Sequence, residues 1–234
     1  IVNGDVAAVA SGLFGPEAAR VVPRRPVAKR SFSAITFSML AEARGFPLIR
    51  HNFFFSRDYR TEFADIVSGR LPVEPTVYLC AQDRNDNGLG DAGGTDQDRH
   101  ALGGKAVPRE RLFHQLNVVA RGDAQTVTQA EIEAYAKRTF SLLDSCGLIV
   151  KWRPEDMVVS TPTDFHRRFP ATGGALYGQV THGWRAPFQR PSVRTSLPGL
   201  YLAGGSTHPG AGVPMATLSG RTAAACLAAD IASD

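Results

Sequence analysis

A glycine-rich turn near the carboxyl end constrains this chain more than any other sequence feature. A short apolar run, residues 200–203, leads into GGSTHPGAGVP, and small residues then favour a helix over residues 215–231. Pro214 suits the first turn of that helix, because proline lacks the N–H that this position leaves unbonded. The glycines of the turn let main chain come close to a large ligand that side chains would block.

This order of strand, glycine turn and helix predicts a binding site. The unpaired N–H groups at the start of the helix and the positive end of its dipole suit a phosphate, or a ring carbonyl that gains negative charge. The alternative is a helix that simply packs tightly on a sheet, through small residues at positions 216, 220 and 223–225. Both possibilities stay open on the residues alone.

A second glycine stretch, NGLGDAGG at residues 87–94, contains the letters G-x-G-x-x-G. A dinucleotide site needs a strand directly before these glycines and a helix directly behind them, and polar loop residues stand on both sides. Asp83, Asn85, Asn87 and Gly88 match positions of a calcium-binding EF-hand loop, but Gly94 stands where the bidentate glutamate belongs. We therefore predict a solvated hairpin loop here.

Composition excludes several classes of protein. The chain has 234 residues and no apolar run near the length of a membrane-spanning helix. Its net charge of +4 is mild and the cations are scattered, which argues against a nucleic-acid partner. The exception is the basic, proline-containing segment at residues 20–30, which is typical of a solvated loop, with contact to anionic lipid as the alternative.

Cysteine and histidine give no metal pattern. The three cysteines, Cys80, Cys146 and Cys226, are far apart and odd in number, which suits a reducing compartment. No two of the six histidines stand at metal-ligand spacing, so we predict no metal site.

Hydrophobic periodicity predicts an α+β fold with a mixed or antiparallel sheet. Thr128 and Glu131 form a capping box that opens the clearest helix, which we expect to end near Gly147. A second helix is expected at residues 57–68, with Gly69 at its end, and a short one at 6–13. Strands are predicted at residues 31–40, 48–55, 76–82, 112–120, 148–152 and 157–160. Such a sheet can form one wall of a pocket.

Longer motifs resemble a known family. The run LPGLYLAGGSTHPGAGVPMATLSGR at residues 197–221 resembles the C-terminal flavin-binding segment of the carotenoid desaturases, the phytoene-desaturase-like FAD flavoproteins. Residues 161–184 resemble the stretch before it, and VYLCAQDRND resembles a strand of the substrate domain. Together, the motifs ALYGQVTHGW, AQDR and GGSTHPGAGVPMATLSG are most similar to those of the subgroup that desaturates 1-hydroxy- or methoxy-carotenoids, such as methoxyneurosporene, at the 3,4 position.

The resemblance implies an FAD-dependent enzyme with a glutathione-reductase-like flavin domain and a separate substrate domain. On this basis residues 1–14 end the FAD-binding domain, residues 15–165 form the substrate-binding domain, and residues 166–234 return to the FAD-binding domain. A phytoene desaturase, an amine-oxidase-like flavoprotein, and a truncated remnant that binds a polyene or a partner without turnover are the alternatives.

The resemblance also implies which residues lie beside the flavin. Its main-chain neighbours would be Gly204, Gly205, Gly210, Gly212, Val213, Pro214 and Met215, joined by Ser206, Thr207 and His208. Candidate walls of an apolar tunnel are Phe53, Phe54, Phe55, Tyr177, Trp184 and Phe188, for which ordinary core packing is the alternative. His208 and His182 could act as an acid or base or simply fix the loop by hydrogen bonds, and we assign no catalytic residue.

Residues 1–5 match the family's strand just before the chain enters the substrate domain, and the family's N-terminal G-x-G-x-x-G has no counterpart here. The resemblance therefore predicts that this chain is the second half of a protein whose N-terminal half is its partner. Since a carotenoid substrate dissolves in lipid, we also expect a cytoplasmic protein attached peripherally to a membrane surface.

Overall fold

A computed structural model describes residues 1–88, 109–180 and 186–233. In chain order the elements are β1 (Val2–Asn3), α1 (Val6–Ala10), α2 (Pro16–Arg20), β2 (Ser33–Gly45), β3 (His51–Phe54), α3 (Tyr59–Ser68), β4 (Val77–Ala81), β5 (Glu110–Val118), α4 (Gln129–Ser145), β6 (Leu148–Lys151), β7 (Met157–Ser160), α5 (Pro162–Arg168), β8 (Leu202–Ala203) and α6 (Val213–Ile231). This mixture of helices and strands confirms the α+β class. Most of NGLGDAGG, together with His182 and Trp184, lies outside the described residues.

The chain divides into two units. The first contains residues 1–33, 120–126 and 162–234, and the second contains residues 34–119 and 127–161. Two short helices of the first unit, α2 and α5, do not follow from the periodicity, because each is too short to show a helical repeat of apolar residues. Among the described residues, no helix combines the length and apolarity needed to span a bilayer.

The first unit is built around two parallel strands. β1 pairs with β8, with Val2 opposite Leu202. The Asp5 carboxylate caps α1 by accepting a hydrogen bond of 2.8 Å from the Ala7 N–H. α6 meets β8 through Ala223, which is fully buried with Tyr201 and Ala203.

The small residues expected to bring α6 close to a sheet are only partly used. A Cβ on Gly220 would meet nothing within 4 Å, and Ala224 and Ala225 are exposed. The expectation of close packing at these three positions is therefore wrong within the described residues, and the contact rests on Ser219 and Ala223 instead.

Among its described residues, the second unit is a six-stranded sheet with two α-helices. The strand order is β3-β4-β5-β2. The long strand β2 also pairs with two short strands, with β7 through residues 36–39 and with β6 through residues 42–45. The Thr128–Glu131 capping box of α4 is confirmed, and Gly69, at φ 85°, ends α3 as predicted. One face of the sheet forms a core that includes Ile35, Phe37, Leu79, Leu116 and Leu143.

Candidate functional site

The glycine turn after β8 is fastened to the helix behind it. The Gly204 N–H donates to Ser219 Oγ at 2.8 Å, and that hydroxyl donates to the Ala216 carbonyl at 2.6 Å. Gly204 and Gly210 adopt φ of 110° and 141°, which L side chains rarely adopt. Ser219 was not among the predicted site residues, because nothing local distinguishes one serine of a small-residue helix.

The N-terminus of α6 is open. Its N-cap residue, Gly212 at φ 104°, provides no side-chain cap, and a Cβ there would meet nothing within 4 Å. Val213 is 81% exposed, and Pro214 and Met215 are exposed as well. The first N–H groups of a helix have no intrahelical acceptor, so this end of a 19-residue helix presents unbonded donors and a positive dipole to open space.

The two hydroxyls of the turn differ in their surroundings. Ser206 is buried and its Oγ accepts a hydrogen bond of 3.0 Å from the Val6 N–H, so it joins the turn to α1. Thr207 is fully buried, and its Oγ1 has no hydrogen-bond partner among the described residues. A buried hydroxyl without a partner costs about 1–3 kcal/mol, which a bound polar group would recover. Thr207 therefore fits a ligand at this turn.

His208 makes contacts through both its backbone and its ring. Its backbone N–H donates a hydrogen bond of 2.8 Å to the Pro191 carbonyl. Its exposed ring stacks on the Phe188 ring, with centroids 6.3 Å apart and an angle of 21° between the planes. These contacts favour the loop-fixing role over the acid–base role.

Arg190 also holds the glycine turn, and no local sequence pattern predicts this role. Its Nη1 donates to the Gly205 carbonyl at 2.8 Å and its Nη2 to the Tyr177 carbonyl at 3.1 Å. Burial lowers the pKa of Arg190, and the nearby Asp5 carboxylate opposes that change. Burial likewise raises the pKa of Asp5, against the Ala7 N–H and the charge of Arg190. Opposite charges thus lie near the glycine turn, partly shielded from water.

In the second unit, the sheet face opposite the core is lined by aromatic rings. Its register places Phe53 opposite Tyr78, and the two rings have centroids 5.1 Å apart. The Phe55 ring lies 6.1 Å from Phe53, and the Phe113 ring lies 6.5 Å from Tyr78. His51 stacks on Tyr78, with Nδ1 2.8 Å from the phenolic oxygen. We call this set, which consists of His51, Phe53, Phe55, Tyr78 and Phe113, the aromatic face.

The aromatic face contains only two of the residues predicted for a tunnel wall. Phe53 and Phe55 are 58% and 63% exposed, whereas Phe54 is 4% exposed and belongs to the core, so its expected place on the wall is wrong. Tyr177 and Phe188 are exposed in the first unit, and Trp184 lies outside the described residues. Tyr78 and Phe113 were missed because only the pairing of distant strands brings them beside Phe53.

Asp83, the first residue of the EF-hand-like pattern, forms hydrogen bonds with an arginine. Asp83 accepts hydrogen bonds from the Arg111 backbone N–H at 2.7 Å and from Arg111 Nε at 2.8 Å. The Arg111 side chain holds the pKa of Asp83 below its usual range. Gly94, the last position of that pattern, lies outside the described residues.

Known proteins match this chain over both units. A family model described as flavin containing amine oxidoreductase matches residues 116–228. The chain is 46% identical over all 234 residues to a hydroxyneurosporene desaturase of Rubrivivax gelatinosus, and 38% identical over the same length to that of Cereibacter sphaeroides. It is 31% identical, over 77% of its length, to a 4,4'-diapophytoene desaturase of Staphylococcus haemolyticus.

Over its whole length, the chain is similar to carotenoid desaturases. The glycine turn and nearly all of α6 fall within the range that the flavin-containing family model matches. The chain spans 42% of the Rubrivivax desaturase and 43% of the Cereibacter one, so it corresponds to less than half of these relatives.

Proposed function

We propose that this chain is part of an FAD-dependent desaturase that oxidises a carotenoid, by 3,4-desaturation of a 1-hydroxy- or methoxy-carotenoid. The observation that carries the proposal is the uncapped N-terminus of α6 behind the glycine turn. The same turn contains the Thr207 hydroxyl, which has no hydrogen-bond partner among the described residues. The names of the most similar relatives above supply the substrate class.

The residues of the turn suit a flavin. When bound, the flavin supplies the electron sink that removal of two hydrogens requires and that no protein side chain provides. Gly204, Gly205, Gly210 and Gly212 would let main chain approach the ring system. The N–H groups of Val213 and Met215 would stabilise negative charge on it through hydrogen bonds and the helix dipole. Thr207 would find there the partner it lacks among the described residues.

The aromatic face suits a conjugated hydrocarbon chain. Phe53 and Phe55 are exposed, and Tyr78 and Phe113 are half-buried, so these rings offer a largely apolar surface. Burial of aromatic side chains supplies a large share of the energy of apolar contacts. We propose that the polyene lies along Phe53, Phe55, Tyr78 and Phe113. The protein's contribution is then to orient the reacting carbons and to exclude water from them.

We assign the two units different tasks. The first unit would hold the cofactor, as part of a glutathione-reductase-like FAD domain, and the second would hold the substrate. The predicted boundaries, 1–14, 15–165 and 166–234, differ from the two units mainly in that residues 15–33 and 120–126 group with the first. An N-terminal half that completes the FAD site, and a membrane surface that supplies the lipid-dissolved substrate, are the proposed partners.

A phytoene-type desaturase acting on a hydrocarbon is the second candidate. The 31% identity to a diapophytoene desaturase favours it, but the 46% identity to a hydroxyneurosporene desaturase is higher and extends over the whole chain. A remnant without turnover predicts that no flavin is bound, and an amine oxidase predicts activity on amines.

The test is expression of the full-length protein in cells that accumulate 1-hydroxy-carotenoids. We expect the absorbance maximum of the pigment to shift to longer wavelength, because desaturation adds one conjugated double bond. Cells that accumulate phytoene serve as the comparison, because conversion of phytoene alone would support the second candidate. Conversion of neither pigment would overturn the proposal.

A further inference from the structure

Three apolar side chains of the first unit are exposed close together in the chain. Leu13 and Phe14, in the turn between α1 and α2, are 60% and 51% exposed, and Val27 is 52% exposed. Isolated apolar residues at a surface are ordinary, whereas exposed apolar residues that adjoin one another can mark a contact surface.

Exposed cations accompany these apolar residues. Arg20, Arg24, Arg25 and Lys29 are exposed, and Glu17 is the one carboxylate among residues 11–29. Within the described part of the chain, no ion pair joins any of the four cations to a carboxylate. Arg30 differs, because it forms a bidentate salt bridge with Asp123, with Nη1–Oδ1 and Nη2–Oδ2 distances of 2.8 and 2.7 Å. We call Leu13, Phe14, Val27 and these four cations the basic–apolar patch.

The two parts of the patch lie on neighbouring segments of the fold. The residues that line a cleft of about 460 Å³ include Ala10 and Ser11, at the end of α1, and residues 23–27. The basic segment therefore lies near the end of α1, where Ser11 is two residues before Leu13. The proline-containing segment is held there by Arg30 and by a hydrogen bond of 3.3 Å from Arg25 to the Gln189 carbonyl.

We infer that the basic–apolar patch docks the protein on an anionic bilayer surface. Cations draw the protein to acidic head groups, and leucine, phenylalanine and valine insert at the boundary between head groups and acyl chains. A nucleic acid would use the cations but would gain little from exposed aliphatic side chains, so the combination favours lipid. The inference deepens the proposed function, which gives the protein a lipid-dissolved substrate, but the patch stands on its own charges and exposures.

The experiment is sedimentation of the protein with vesicles of phosphatidylcholine that contain about one third phosphatidylglycerol. Each cation near such a surface changes the partition coefficient about fivefold, so the variant Arg24→Gln/Arg25→Gln/Lys29→Gln should bind about 100-fold more weakly. Raising the salt should release the parent protein, because screening weakens the attraction between exposed charges. Phe14→Ser should weaken binding at every salt concentration.

A matched control separates the patch from net charge. Arg60→Gln/Arg138→Gln/Lys151→Gln removes the same three charges from exposed positions of the second unit and should leave binding almost unchanged. Arg24→Lys/Arg25→Lys keeps the charge and should bind like the parent.

Three results would overturn the inference: equal binding by parent and patch variant, equal losses in the patch and control variants, or a preference for single-stranded DNA over vesicles at the same salt. Since no desaturation is measured, failure of the docking inference leaves the proposed reaction intact, and failure of the reaction leaves vesicle binding intact.

Discussion

Phe53 and Phe54 are adjacent in β3, and strand alternation places their rings on opposite faces of the sheet. Phe54 fills the core, so Phe54→Ala should cost about 3–5 kcal/mol of unfolding free energy. Phe53 is exposed, so Phe53→Ala should cost less than about 1 kcal/mol but weaken binding of a polyene. Urea unfolding and titration of the full-length protein with a carotenoid measure the two effects. Unchanged carotenoid binding in Phe53→Ala would remove the aromatic face from the site.

His114 gives the stability of the second unit a defined dependence on pH. The ring is fully buried beside Phe140, and burial lowers its pKa from 6.5 to about 4. The folded state therefore holds the neutral ring, whereas the unfolded chain takes up a proton near pH 6.5. This contribution to stability is present above pH 6.5 and is lost as the pH falls towards 4.

The expected loss is about 3 kcal/mol over that interval. His114→Leu cannot bind the proton and should lack this part of the pH dependence, so the difference between the two proteins isolates it. Urea unfolding at several pH values between 7 and 4 is the measurement. Parallel pH profiles of parent and variant would show that His114 does not titrate in this way.

At the scale of elements, the capping box of α4 is open to a direct test. The Thr128 N–H donates to Glu131 Oε2 at 2.8 Å, and the Glu131 N–H donates to Thr128 Oγ1 at 3.3 Å. Thr128→Ala should lower the free energy of unfolding by about 1 kcal/mol. Thr222→Ala, at an exposed position inside α6, should be neutral or slightly stabilising, because alanine has the higher helix propensity. A loss of the same size in both variants would contradict a capping role.

The sequence predicted where helices begin and end better than it predicted which residues meet in the folded chain. The capping box, the glycine end of α3 and Pro214 in the first turn of α6 were predictable, because each depends on residues a few positions apart. The residues that hold the glycine turn were not predictable. Ser219 and Arg190 act across 15 residues each, and the neighbours of Phe53 depend on strand register.

At the scale of the whole molecule, the two units have cores of different size. The second unit buries a large continuous cluster between its sheet and α4. The first unit has two small clusters around a two-stranded parallel sheet, an arrangement that is seldom stable unless both faces are covered.

We therefore expect slower amide hydrogen exchange in β2, β4 and β5 than in β1, β8 and α1 of this chain. Exchange followed by mass spectrometry of peptides from each unit measures the difference. Equal protection in the two units would mean that the first unit is stabilised by contacts that these clusters do not explain.

The most direct measurement is the flavin affinity of the full-length protein with Gly212→Ala, compared with Gly15→Ala. Both glycines precede a helix, at φ 104°, ψ 145° and φ 95°, ψ 162°, and a Cβ on either meets nothing within 4 Å. The two variants should therefore lose similar stability, about 1–3 kcal/mol, from backbone strain. If the open end of α6 holds the flavin, Gly212→Ala should bind it at least about tenfold more weakly while Gly15→Ala binds it like the parent, since 1.4 kcal/mol of lost contact suffices for that factor. Equal flavin affinity in the two variants would contradict the assignment of the cofactor to this turn.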